Sequence, residues 1–259
     1  MGEFSHIIDD MTWSFSRLDS FEQCPYEWLS SYIYGEPERG IFFSQFGSCV
    51  HTVSAQYFSG EVDKDMLRSR YISEFFETCD GHFPSRKIKS DRFQEGLSYF
   101  SSPFSTILDL GKREIMEVEE RFEITLGDIP FNGIIDLLSV DGGLVITDHK
   151  SSNIKPPSGR KKPTQYDIER EQKARQLYIY AQAVREKYGQ YPDRLEFNCY
   201  RVPQIISIPF EQKDMDATIR WANDRAKEIS ACDDFSPNVD FFYCKHLCDL
   251  EECPYRELL

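Results

Sequence analysis

The sequence has no apolar run long enough to cross a membrane as a helix, which argues against an integral α-helical membrane protein. Its first residues, MGEFSHIIDDM, lack the basic and apolar regions of a secretory signal, so the cytoplasm is the expected compartment. There is no phosphate-binding glycine loop, nucleophile elbow, internal repeat or low-complexity segment. Loop-cradled nucleotide hydrolysis, serine α/β-hydrolase chemistry and solenoid architecture are therefore set aside. Positive charge is in deficit as well: 30 Lys and Arg face 44 Asp and Glu, a net charge of -14. That balance argues against a protein that coats nucleic acid by bulk charge and leaves local clusters to be weighed.

What is present suits a globular chain. Of 259 residues 40% are apolar, with 20 Phe and 14 Tyr, enough to bury the core of one large domain or of one domain with an insertion. Residues 1–10 are left outside the expected fold. Residues 155–175 hold seven basic and three acidic side chains, and residues 85–92 carry a local +3 read as solvated surface. The eight cysteines are Cys24, Cys49, Cys79, Cys199, Cys232, Cys244, Cys248 and Cys253, three of them within the last sixteen residues. In a reducing compartment such clustering points to metal ligation before disulfides.

The stretch richest in chemistry is residues 131–150, FNGIIDLLSVDGGLVITDHK, two apolar runs joined by Asp-Gly-Gly. Runs of this composition are strands, and the glycine-rich connection makes them a hairpin. With Gly142 at the centre of the turn, Val140 opposes Leu144 and Asp136 opposes Asp148. Opposed Cβ atoms lie roughly 4.5–5.5 Å apart, so the carboxylates repel unless something positive sits between them. A divalent cation fits. Alternation puts Lys150 on the face of Asp148, giving two carboxylates and one ammonium. Edge charges that discourage aggregation, with Lys150 as their salt-bridge partner, are the other reading. Apolar residues on both faces (Ile134, Ile135, Leu137, Leu138, Leu144, Val145, Ile146) place the hairpin centrally, where charges need partners, and favour the functional reading.

Residues 14–34 read as two short helices, with Ser16 and Asp19 as a capping box and Pro25 in the second helix's first turn. Cys24 precedes that proline, and a helix N-terminus lowers a thiol's pKa. It is therefore a candidate thiolate ligand, a plain buried cysteine being the alternative. A helix over residues 45–59 carries His51. Residues 62–110 are mostly helical with a break at 81–85 and no identifiable chemistry, and are taken as an insertion spanning 60–112. A strand over 115–126 joins the hairpin in an antiparallel meander. A loop over 153–165, with three prolines and the cations Lys155, Arg160, Lys161 and Lys162, delivers the chain into a helix over 166–188. Leu177, Ala181 and Val184 form that helix's apolar stripe, with Gln176 and Tyr180 at its border. Strands over 195–201 and 204–210 and a helix over 214–229 precede the cysteine-rich tail.

Around the hairpin and long helix stand Gly47-x-x-x-His51, Gly133-x-x-Asp136, Asp148-His149-Lys150 and Gln176-x-x-x-Tyr180. In this order and spacing they resemble the RecB-like branch of the PD-(D/E)XK nuclease superfamily, specifically its iron-sulfur members. These include the CRISPR-associated adaptation nuclease and the nuclease domain of the AddB helicase subunit. The resemblance spans nearly the whole chain. It implies a single nuclease domain over 1–259 with a restriction-endonuclease-like α/β core, a mixed sheet flanked by helices.

It also implies Mg2+ or Mn2+ held by Asp136 and Asp148, with His51 as a further ligand and the backbone carbonyl of His149 completing the protein's share. Hard oxygen donors suit both cations, and imidazole leans towards Mn2+. Such a cation polarises the scissile phosphate and acidifies a water, while Lys150 orients that water or steadies developing charge. Gln176 and Tyr180 are implied to position the nucleotide, ordinary core packing being the other reading of Tyr180. His149 replaces the family's usual tyrosine. Its side chain points to the opposite sheet face, so only its carbonyl is expected to matter. Glu119 stands where related chains often carry a glutamate, and a solvated strand face accounts for it equally.

Cys24 with Cys244, Cys248 and Cys253 resembles the family's upstream cysteine and terminal triplet, with three then four intervening residues in place of two then five. The resemblance implies a 4Fe-4S cluster ahead of zinc, joining residues 14–34 to 240–259. His246 leaves open a site with one thiolate replaced. Cys49, Cys79, Cys199 and Cys232 read as plain buried thiols. The implied activity is a deoxyribonuclease, an exonuclease on single-stranded DNA in recombination, repair or CRISPR adaptation, with helicase or adaptation-complex proteins as partners. The loop cations are expected to hold the DNA backbone. A protein that binds DNA without cutting it, or a zinc-stapled structural subunit of a helicase-nuclease complex, is the alternative. Intact Asp136, Asp148 and Lys150 argue against the first.

Overall fold

The computed structural model describes residues 2–257 and 259. Helices α1 (Ser5–Ile8), α2 (Phe15–Gln23) and α3 (Pro25–Leu29), the last continuing as a π-helical turn over Ser30–Tyr34, precede α4 (Phe42–Phe58). A 3-10 turn over Lys64–Met66 leads to α5 (Leu67–Thr78), α6 (Arg86–Ser101) and α7 (Thr106–Leu110). Strands β1 (Glu114–Leu126), β2 (Ile129–Val140) and β3 (Leu144–Lys150) follow, then α8 (Gln165–Tyr188), β4 (Arg194–Cys199), β5 (Gln204–Pro209), α9 (Gln212–Ser230) and α10 (Phe241–His246).

The sheet order is β1-β2-β3-β4-β5. All neighbours are antiparallel except β3 and β4, which the crossover through α8 makes parallel. Gly142 turns the central hairpin at φ +71°, a left-handed conformation that costs glycine little. Val140 opposes Leu144 as expected, but the ladder stops where Leu137 opposes Thr147. Beyond it the strands part, and the Asp136 carboxylate accepts the His149 N–H at 2.7 Å in place of a strand carbonyl.

The edge of β2 left free by this fork is taken by the N-terminal segment. Trp13 bridges in parallel to Phe131, its N–H donating to Pro130 O and its carbonyl accepting from Asn132 N–H, both at 2.8 Å. The bridge keeps the backbone extended through Ser14, so helix α2 starts there. Ser14, not the expected Ser16 with Asp19, is the cap, its hydroxyl accepting from Arg17 N at 3.2 Å. Residues 5–8, left out of the expected fold, form α1, and Ile8 is fully buried in the main core.

Helices cover both faces. Phe42, Phe46 and Val50 of α4 and Tyr71, Phe75 and Tyr99 of α5 and α6 pack with Leu137 and Tyr200. On the other face Leu177 and Ile179 of α8 and Met215 and Ile229 of α9 pack with Leu138, Ile146 and Phe197. Each such side chain contributes about 1.5–3 kcal/mol on burial. A Thr164–Asp167 capping box starts α8, and Gly189 in the left-handed conformation ends it, close to the expected bounds. The C-terminal segment folds back on the N-terminal one. Arg39 N–H donates to Asp249 O (2.7 Å) and Glu251 N–H to Pro37 O (2.9 Å), while the Glu27 carboxylate accepts from Asp249 N–H (2.8 Å) and the Tyr243 hydroxyl (2.5 Å). No helix among the described residues is long and apolar enough to cross a membrane.

Candidate active site

The fork between β2 and β3 brings the titratable residues together. Asp136 and Asp148 are 7% and 1% exposed. His51 reaches them from α4: its Nε2 lies 3.0 Å from the His149 carbonyl, and its Nδ1 lies 3.6 Å from Asp136 Oδ2 and 3.8 Å from Glu119 Oε1. One ligand atom each from His51, Glu119 and Asp136 falls within 4.8 Å of the other two. Glu119 is the residue that sequence reasoning undervalued. It is the one non-glycine with positive φ (51°) among the described residues, in β1 just beyond an irregularity in the register. Backbone strain of this kind persists where the surroundings hold it, and marks functional positions.

The charge balance of the site is unfavourable as it stands. Burial, reinforced by the Asp148 charge, lifts Asp136 to about 7 against the His51 imidazolium. Burial disfavours the charged form of His51, yet Asp136 and Glu119 outweigh it and raise its pKa to about 9. Lys150 is likewise raised, burial being overcome by Asp148. Its Nζ approaches Asp148 Oδ2 to 2.8 Å at an angle that leaves that buried oxygen without a hydrogen bond. An orphaned carboxylate oxygen beside groups holding extra protons is what a hard divalent cation relieves, by ligation and proton displacement. The donor set fits such an ion.

Behind the carboxylates, Lys150 Nζ donates to Gln176 Oε1 and Gln176 Nε2 donates to the Tyr180 hydroxyl, both at 2.6 Å. Gln176 therefore fixes the lysine, a role the sequence did not suggest. Burial, then the charges of Asp148 and Asp136, keep the Tyr180 hydroxyl protonated. Gly133 has a packing reason too. A Cβ there would lie 2.6 Å from the ring of Phe122, which stands edge-on to Tyr180 at 5.7 Å.

The His149 side chain lies on the opposite face as expected, but its ring meets His51 edge-on (5.6 Å, 81°) and stacks on Phe58 (5.7 Å, 17°). Burial, with the His51 and Lys150 charges, holds it neutral, so Nδ1 accepts from Asn198 Nδ2 at 3.0 Å. Asn198 also donates to the Tyr99 hydroxyl (2.7 Å) and accepts from Thr106 Oγ1 (2.6 Å). Helices α6 and α7, where no chemistry was read, thus brace a ring against the site.

A cleft of about 1070 Å3 runs along α4 from Ser44, Gly47 and Ser48 past Thr52 and Gln56, with Ser16, His51, Glu119 and Lys150 at the site. Lys155, Arg160, Lys161 and Lys162 are exposed, and none of them lines it. Their loop is anchored by buried Ile154 and by Ser158 and Thr164 on the Asp167 carboxylate.

The four terminal cysteines share one neighbourhood. The Tyr243 hydroxyl is within electrostatic reach of Cys24 and Cys248, and that of Tyr26 is within reach of Cys253. Arg256 donates to the Cys244 carbonyl at 3.0 Å and lies 3.5 Å from Cys248 Sγ. Burial lifts the Cys24 thiol above its usual range despite amide donors at the start of α3, contrary to the expected lowering. Burial and Glu27 push Cys248 up to about 11. His246 stacks on His82 (5.9 Å, 11°). Cys49, Cys79 and Cys199 are buried, whereas Cys232 is only half-buried.

The sequence matches the PD-(D/E)XK nuclease superfamily over residues 12–258, and the chain belongs to that superfamily. The mixed five-stranded sheet with helices on both faces is its restriction-endonuclease-like α/β fold. No curated protein matches the sequence. Among solved structures, a Eubacterium rectale protein provisionally described as an exonuclease is similar in fold, with a TM-score of 0.51 and 13% identity over 99% of this chain and 90% of that one. A second, the protein SSO0001, aligns over 77% of this chain and 99% of its own at 18% identity, with a TM-score of 0.30.

Proposed function

We propose that the chain is a divalent-metal-dependent deoxyribonuclease of the RecB-like iron-sulfur type, an exonuclease acting on single-stranded DNA. The observation that carries this reading is the grouping of His51, Glu119 and Asp136, beside the Asp148–Lys150 ion pair, where the α4 cleft reaches the β2–β3 fork. Asp136, Asp148 and His51, with Glu119 and the His149 carbonyl, are the groups to hold Mg2+ or Mn2+. When bound, the ion supplies Lewis-acid polarisation of the phosphate and a more acidic water. Lys150, fixed by Gln176 and Tyr180, presents its ammonium to the developing phosphate charge without having to reorganise. The hydroxyls of Ser44, Ser48 and Thr52 offer uncharged donors to a backbone lying in the cleft. The exonuclease description of the Eubacterium rectale protein is in keeping with this reading.

What supports a cluster over a single zinc is the resemblance of Cys24, Cys244, Cys248 and Cys253 to the family's iron-sulfur ligand set.

End-labelled single- and double-stranded DNA incubated with Mg2+ and with Mn2+ tests the activity. Processive loss of nucleotides from the single strand is expected. No cutting of either substrate with either metal, by protein whose fold is verified, would overturn the reading.

The loop cations give a separate prediction. Replacing Arg160, Lys161 and Lys162 with Ser is expected to weaken single-strand binding across all sequences and to flatten its salt dependence, by about 0.7 in slope per lost phosphate contact. The comparison is made in an Asp148→Ala background across a salt series. An unchanged slope would mean that the DNA enters from another side.

A further inference from the structure

A second, smaller cavity of about 320 Å3 shares Ser16, His51 and Glu119 with the cleft. That volume is at the lower end of small-ligand pockets, roughly 300–1,000 Å3. Its walls include Phe15 on the N-terminal segment, Asn132 on β2, and Gln176 and Tyr180 on α8. No Lys or Arg lines it, while Glu119 and Asp136 do. His51 lines it too, and since His51, Glu119 and Asp136 are the proposed metal ligands, a scissile phosphate held by the ion would stand beside this chamber and leave its remaining walls to the adjoining part of the nucleotide.

Two side chains make it specific. Phe15 is half-buried, its ring resting on Trp221 at 6.0 Å and 45°. The Trp13–Phe131 bridge two residues earlier fixes the segment that carries it, so the ring is a preset platform rather than a mobile one. Asn132 is exposed, and its backbone N–H is committed to Trp13, but its side-chain amide has no hydrogen-bond partner among the described residues. An aromatic face and a free amide, offering both donor and acceptor, are what an unpaired nucleobase needs for stacking and for its polar edge.

We propose that this pocket receives the base of the nucleotide adjoining the scissile phosphate, stacked on Phe15 and met at its edge by Asn132. The proposal rests on the nuclease reading and deepens it. A base still paired in a duplex has its edge occupied and its faces covered, so the pocket selects for single strands at the point of cutting.

The test uses single-stranded oligonucleotides with one abasic residue placed at successive positions from the cleaved end, assayed with Mn2+. In the wild-type protein KM is expected to rise about tenfold or more when the abasic residue adjoins the cut bond, with little effect further away. Phe15→Ala should show that rise on intact DNA and lose the positional dependence, while Phe15→Tyr should keep the wild-type pattern. A uniform penalty along the strand, or a positional penalty that survives unchanged in Phe15→Ala, would overturn the pocket and leave the nuclease reading in place. No cutting by the wild-type protein would remove both. Should Phe15→Ala fail to fold, Asn132→Ala, whose side chain bonds nothing, decides: KM that differs less between bases than in the wild type supports the pocket, and unchanged base dependence overturns it.

Discussion

Asp148→Ala should abolish cleavage, a loss of at least ~10^3-fold in turnover, and should also abolish stabilisation of the fold by Mn2+. Both effects come from one buried oxygen. Among the described residues Asp148 Oδ2 has Lys150 as its one close partner, an ion pair at 2.8 Å, so its free energy depends on what else binds there. The metal-free fold is expected to survive. Removing Asp148 relieves its repulsion with Asp136, and Lys150 keeps Gln176 as a partner. Asp148→Asn keeps the shape but loses the charge, and should resemble Asp148→Ala in metal binding. Lys150→Ala should separate the two functions. It removes a competing cation and so preserves or strengthens Mn2+ binding, yet it removes the charge presented to the phosphate and should stop turnover. Melting curves with and without Mn2+, beside single-turnover assays, report both. Undiminished turnover in purified Asp148→Ala would sink the mechanism.

The parts of this site legible in the sequence are those set by local periodicity. The hairpin register follows from the Asp141-Gly142-Gly143 turn, and the placing of Lys150 with Asp148 follows from alternation. Helix α8 was legible because Leu177, Ala181 and Val184 recur on one stripe, and its Thr164–Asp167 cap and Gly189 stop emerge only in the structure. What was not legible depends on contacts distant in sequence. Glu119 on a strand looks like any solvated glutamate, and nothing in its neighbours announces a positive φ. The brace of Tyr99, Thr106 and Asn198 on His149 joins residues with no shared pattern. The choice of Ser14 over Ser16 as cap was decided by the Trp13 bridge, a tertiary contact. For Cys24 the local rule, a lowered thiol at a helix start, lost to burial. The loop cations follow Lys150 in sequence, yet the buried Ile154 and the Asp167 anchor fix their loop without bringing any of them into the cleft.

Protein purified without oxygen should be brown and contain iron, and Cys248→Ala should lower Tm by about 10 °C or more. The C-terminal segment has little apolar burial of its own. Phe241 and Phe242 of α10 are 59% and 50% exposed, and the segment is held by Glu27, Arg39 and a short bridge between Glu38 and Leu250. A cluster joining Cys24 to the terminal triplet closes nearly the whole chain into one loop. By the loop-entropy estimate for long loops such a link is worth about 5 kcal/mol, provided it behaves as a covalent cross-link. The Cys24 and Cys248 thiols meanwhile keep their protons until iron displaces them, since burial raises both and Glu27 adds to it at Cys248. Loss of the cluster should therefore act on stability more than on chemistry, because no terminal cysteine lines the cleft or its companion pocket. Below its own Tm, Cys248→Ala should retain most of the wild-type turnover at saturating DNA. Cys232→Ala is the control: half-buried and bonded only to Asp234 O, it should leave iron content and Tm unchanged. Stoichiometric zinc with no iron in anaerobic protein would overturn the cluster. A Cys248→Ala protein with normal Tm would show that the termini are held by their hydrogen bonds alone.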